Sequence, residues 1–152
     1  MGRLFLGFAF LTVVTVGQDE ELAKKDIERL RGDWEVLKIV DEGMLVALEG
    51  TRHPQVSFQG NSVVLDKTGF FDRTDSFQLS PKANPKAIDI TVGAGDKKGK
   101  KVYGIYLLEG DNLKLCFGSP VEKPRPTEFD TKEKSNTVLM VLRRIKKKET
   151  NK

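Results

Sequence analysis

Residues 102–129, VYGIYLLEGDNLKLCFGSPVEKPRPTEF, constrain the fold of this chain more than any other stretch. Two short apolar-rich runs, Val102–Leu108 and Leu113–Phe117, flank Glu109-Gly110-Asp111-Asn112. Runs rich in Val, Ile, Tyr and Phe, closed by a Gly/Asp/Asn turn, predict a β-hairpin. In the second run Leu113, Leu115 and Phe117 alternate with Lys114 and Cys116, the period of a strand with one buried face. Gly118-Ser119-Pro120 ends that strand, and Pro124-Arg125-Pro126 makes the next segment extended.

The remaining chain repeats this pattern. Gln55–Gln59, Ser62–Asp66, Thr74–Leu79, Lys86–Val92 and Thr137–Ile145 each place apolar residues two apart and end at Gly, Asn, Lys or Pro. Asp33–Val40 is apolar on both faces, with Trp34, Val36 and Val40 on one side and Leu37 and Ile39 on the other, and Met44–Leu48 is a further strand after the Asp41-Glu42-Gly43 turn. Ahead of them, Asp19–Arg31 predicts a short helix: Asp19 caps it, Leu22, Ile27 and Leu30 share a face, and Gly32 stops it. Eight or nine evenly spaced strands with no helical crossover predict an all-β antiparallel sandwich or barrel. Closure into a barrel also removes sheet edges.

At 152 residues, 38% hydrophobic and 32% charged, the chain suits one soluble domain with one core. The net charge of +4 is concentrated in Lys97-Lys98-Lys100-Lys101 and in the tail after Arg143. No aromatic residues interleave those lysines, so nucleic-acid binding is not expected. Met1-Gly2-Arg3, the apolar Leu4–Val16 and the short residues Thr15-Val16-Gly17 before Gln18 have the layout of a secretory signal peptide over residues 1–17. The apolar run is shorter than the roughly 20 residues a spanning helix needs; the alternative is a retained anchor. The expected organisation is therefore a leader (1–17), a helix (18–31), a barrel (32–146) and a basic tail (147–152), acting outside the cytoplasm with no membrane span after cleavage. Cys116 is the one cysteine, which excludes an intrachain disulfide and leaves a packed thiol as the expectation.

Gly32-Asp33-Trp34, directly after a helix, resembles the start of a lipocalin-type (calycin) barrel. The resemblance implies that an arginine of the last strand, here Arg143 or Arg144, packs across the Trp34 ring and closes the base by a cation–π contact. More specifically, the chain resembles a family of small secreted lipocalin-like domains of unknown function found in planctomycete bacteria. The residues carrying this likeness run in order along the chain: Leu30–Trp34, Phe77-Gln78-Leu79, Pro85–Asp89, Gly104-Ile105-Tyr106, Leu113–Cys116, Arg125–Phe129 and Leu142-Arg143-Arg144. It implies an antiparallel lipocalin-like barrel of about eight strands, closed through Gly32, Trp34, Arg143 and Arg144, and brings no established activity with it.

No catalytic, cofactor-binding or metal-binding constellation emerges. His53 is the single histidine, far in sequence from Cys116, and metal sites need several N or S ligands. No nucleophile elbow, P-loop or dinucleotide fingerprint is present. Among the many carboxylates, most fall at predicted turns, and Asp89 is the least turn-like. Tyr103, Tyr106, Arg125 and Asp89 are the candidate ligand or mouth residues, with Phe70 and Phe71 as further pocket candidates. Two readings of function follow. One is a binding domain for a small apolar ligand held in the barrel mouth; the other is an envelope module whose barrel is filled by Phe58, Phe77 and Phe117 and whose partner is another protein. An enzyme would require two titratable groups converging inside.

Overall fold

A computed structural model describes residues 16–48, 53–65 and 75–146. The expected leader, apart from its last two residues, the pair Phe70-Phe71 and the basic tail lie outside these. Helix α1 (Val16–Leu30) precedes nine strands: β1 (Gly32–Asp41), β2 (Met44–Leu45), β3 (Gln55–Gln59), β4 (Ser62–Leu65), β5 (Ser76–Ser80), β6 (Ala87–Thr91), β7 (Lys101–Glu109), β8 (Asn112–Gly118) and β9 (Thr137–Arg144). Every pairing is antiparallel between neighbours, and β1 also pairs with β9. Eight strands thus close a barrel consistent with the lipocalin-like type, and β2 is an extra two-residue strand on the far end of β1.

The hairpin from which the sequence reading began is β7–β8, turned by Gly110, whose φ of +58° is a conformation glycine adopts without penalty. Side chains alternate between a packed interior and an outer face. Ile88 and Ile90, Tyr106 and Leu108, Leu113, Leu115 and Phe117, and Val138, Met140 and Leu142 all belong to one buried core. Phe58 and Phe77 meet edge to face in its lower part, with ring centroids 5.4 Å apart, a favourable arrangement of ring quadrupoles.

The structure departs from the sequence reading at three places. In β1, pairing with β9 slips between Val36 and Lys38. This bulge inserts one residue, so Trp34, Val36 and Ile39 all point inward although their spacing breaks strict alternation. Met44–Leu48 is strand only at Met44–Leu45; Val46 and Leu48 instead turn onto the core. The helix starts at Val16, so Asp19 lies in the first turn, where its charge still meets the positive end of the helix dipole.

The base of the barrel is built by α1, Trp34 and Arg144. Gly32 reverses the chain with φ +111°, a region L side chains rarely adopt. Trp34 is fully buried, and its Nε1–H donates to Leu30 O at 2.8 Å. Arg144 stands opposite Trp34 in the β1–β9 register, with its Cζ 4.1 Å from the ring centroid. Its Nη atoms donate to the carbonyls of Arg29, in the last turn of α1, and Arg31, just after it, groups that lack helical partners. Arg143 has the opposite parity and pairs outside with Glu35 at 3.0 Å. Of the two arginines that the resemblance offered, Arg144 makes the closure and Arg143 does not.

Two substitutions test this architecture. Trp34→Ala is expected to cost about 3–5 kcal/mol in chemical denaturation; a loss under about 1 kcal/mol would remove Trp34 from the core. A methyl at Gly104 would collide with the Phe117 ring and lie 2.8 Å from Cys116 O. Gly104→Ala is therefore expected to cost about 1–3 kcal/mol, whereas Gly60→Ala, with open space around it, is expected to show strain only from its φ of +56°.

Candidate functional site

The strands fix two different ends. Base residues lie at the start of β1 and β8 and the end of β7 and β9; the opposite ends of these strands form the mouth. There a cavity of about 520 Å³ opens, bounded inside by Val102, Phe117, Val138 and Met140 and at the rim by residues 92–97 and 118–121. Phe117 sits against side-chain-free Gly104 and lines the cavity, and it shares the packed core with the Phe58–Phe77 pair.

One charged group lies in this apolar wall. Asp75 precedes β5 in the same parity as the core residues Phe77 and Leu79, so its side chain points inward. It is 2% exposed, and its Oδ1 accepts a hydrogen bond from Gly93 N at 2.9 Å. Asp75 falls within the stretch Thr74–Leu79 that its spacing predicts as a strand. The signal that could have found it is its spacing of two from Phe77 and four from Leu79.

At the base, Asp26 of α1 is 4% exposed. It accepts Tyr106 Oη–H and Lys86 Nζ–H, each at 2.7 Å, on Oδ2, and Arg29 Nη1 at 3.2 Å on Oδ1. Burial alone pushes the Asp26 carboxyl upward, but the bonds from Lys86 and Tyr106 and the two cations together hold it below its usual range. Tyr106 is pushed up, first by burial and then by its bond to Asp26. This network joins the helix to the barrel floor.

The four candidate mouth residues therefore divide, and none lines the mouth cavity. Ile88 and Ile90 face the core, so Asp89 between them faces out. Tyr103 and Tyr106 are three apart in one strand and lie on opposite faces: Tyr103 outside, Tyr106 inside at the base. Arg125 crosses this outer wall in the β8–β9 connection. Its Nη1 lies 2.6 Å from Asp89 Oδ1, while its hydrogen bonds go to Gly104 O at 2.7 Å and Ile88 O at 3.3 Å. Asp89 Oδ1 is thus in ionic contact without an aligned hydrogen bond. The Arg125 guanidinium also lies 5.4 Å from the Tyr103 ring centroid. These three residues strap the connection to the barrel. Under the same connection Cys116 is fully buried, and burial, then Asp130 and Glu128, push its thiol up to about 11, away from thiolate reactivity.

His53 bonds Val36 O through Nδ1 at 3.0 Å. Among the described residues no cluster of His, Cys, Asp and Glu suits a metal ion, and no helix is long and apolar enough to cross a membrane. No protein-family model, curated protein or solved structure matches the chain.

The Asp26 network carries a pH dependence. Its folded pKa lies below the unfolded value of about 4, so its contribution is complete above that value and is lost as pH falls through the depressed folded value. Asp26→Asn is expected to lower stability by about 2 kcal/mol at neutral pH. It should also flatten the decline of stability below pH ~4, as read by denaturant midpoints across pH. A variant with an unchanged acid limb would show that Asp26 does not drive that decline.

Proposed function

We propose that this chain is an exported, non-catalytic binding domain of the lipocalin-like type, taking a small ligand with an apolar body into the barrel mouth. The observation that carries the reading is the cavity of about 520 Å³ standing on an apolar floor at the open end of a barrel sealed at its other end. Its size falls within the ~300–1,000 Å³ of small-molecule sites, which are mostly apolar with few polar groups. The filled lower half keeps the ligand near the mouth. Export is supported by the charged, apolar and short-residue order of residues 1–17. The absence of catalytic work is supported by the distance in the fold between the Asp26 network and the cavity: one is at the base, the other at the mouth.

A second reading has its own observation. Phe58, Phe77 and Phe117 all belong to the packed core, as the filling of a barrel by its own side chains requires, and a filled barrel would suit an envelope interaction module.

Native mass spectrometry of protein purified gently from the extracytoplasmic fraction separates the two. A discrete extra mass, lost on denaturation, is the expected result. In titrations with an apolar fluorophore, Val121→Trp at the rim is expected to weaken binding about tenfold or more, with the thermal midpoint unchanged. A bare chain mass together with no saturable fluorophore binding would favour the interaction module. Recovery of the protein only from the cytoplasm would refute export.

A further inference from the structure

We infer that the mouth end of the barrel docks on the surface of an anionic phospholipid bilayer, with Met44 and Leu45 entering the interface and the lysines of residues 97–101 facing the lipid phosphates. The inference goes beyond the ligand site and does not depend on it, since it uses the outer surface of this end and not the cavity.

Met44 and Leu45 are 71% and 69% exposed, against 42% for Leu22 of α1, the other exposed large hydrophobic among the described residues. Successive residues of a strand point to opposite faces, so with both exposed neither face of β2 is covered. The pair is nonetheless held in place. Met44 and Leu45 pair with Asp41 and Val40 across a tight turn. Its residues Glu42 and Gly43 have φ of +46° and +83°, both positive as a two-residue hairpin favours. Glu42 N donates to Thr137 O at 3.1 Å and Gly43 N to Thr131 Oγ1 at 3.2 Å. An apolar pair on a tip fixed in this way loses little freedom on insertion.

The same end carries a run of cations. Thr91 pairs with Lys101, so residues 92–100 rise from the mouth ends of β6 and β7. Residues 96–101 hold Lys97, Lys98, Lys100 and Lys101 against Asp96 alone. The bonds from Val92 N to Lys100 O and from Gly99 N to Val92 O, at 2.9 and 2.7 Å, close this loop. Lys97, Lys98 and Lys100 are exposed, and Lys100 meets Glu122 at 3.0 Å. Elsewhere at this end charges offset one another: Lys132 lies by Glu128 and Asp130, and Lys134 by Glu133. Asp41 and Glu42 are half-buried, so the tip offers its apolar pair to the solvent more than its carboxylates.

Apolar side chains with lysines beside them are what an anionic interface takes up: the first enter the acyl boundary and the second are drawn to the negative surface. The tip extends β1 and the loop joins β6 to β7, with β8 and β9 between them. A broad flat surface reaches both at once.

The test is flotation of the chain, as its cell processes it, with vesicles of phosphatidylcholine and with vesicles of phosphatidylcholine and phosphatidylglycerol in equal parts. Binding on the order of 10-fold tighter to the anionic vesicles, weakening as salt rises, is expected. Met44→Ser/Leu45→Ser changes no charge and is expected to lower that binding about tenfold or more, with the thermal midpoint unchanged. Should the double variant not fold, Met44→Ser alone decides. Lys97→Gln/Lys98→Gln is expected to remove the preference for anionic vesicles, while Lys147→Gln/Lys148→Gln in the tail leaves it. Absence of binding, equal binding to both vesicles, or binding that the tip variant does not change, as a retained leader would give, overturns the inference. So does self-association that the tip variant abolishes, which would assign the tip to a second copy. Each of these leaves the ligand site standing.

Discussion

The guanidinium of Arg144 stacked on Trp34 is the contact from which the rest of the structure hangs. It joins the first and last barrel strands face to face, and its hydrogen bonds reach the final carbonyls of α1. Asp111, in the β7–β8 turn, lies 3.4 Å from Arg144 Nε and 2.8 Å from Lys146 Nζ, so that turn is drawn into the same closure. A barrel needs one seam, and this one joins its first and last strands. A helix end, a ring and an ion pair occupy the base, and the cavity bounded by Val102, Phe117, Val138 and Met140 lies at the mouth.

Much of this was legible in the sequence, and the reason is periodicity. In β6, β8 and β9 residues spaced two apart, Ile88 and Ile90, Leu113, Leu115 and Phe117, and Val138, Met140 and Leu142, all lie in the core. The Gly-x-Trp start and the terminal arginine pair were readable too, though parity of β9 was needed to choose Arg144 over Arg143. Where alternation failed, a physical event broke it. The bulge between Val36 and Lys38 moved Ile39 to the inside, and nothing in the residue types announces a one-residue insertion in a ladder.

The site was harder to read, for a different reason. Asp89, Tyr103 and Arg125 were expected with Tyr106 at the mouth, yet these three meet on the outer wall, because a barrel has two faces and composition does not say which one is covered. Ile105 and Cys116 face outward and are nevertheless fully buried, and Ala87 nearly so, since the β8–β9 connection lies across them. Half-buried strands with apolar residues on both faces are therefore a sign of a second layer. Asp75 received no role of its own, although the predicted strand Thr74–Leu79 contains it and places it in the parity of Phe77 and Leu79.

The two ends of the barrel each carry a buried carboxylate. Asp26 is surrounded by Lys86, Arg29 and Tyr106, a ring of donors from three elements that locks the helix to the floor. Asp75 borders the mouth cavity and is held there by contacts with its own chain, the bond from Gly93 N among them. The base ties the first and last barrel strands to the end of α1, and the cavity lies at the opposite end of the barrel.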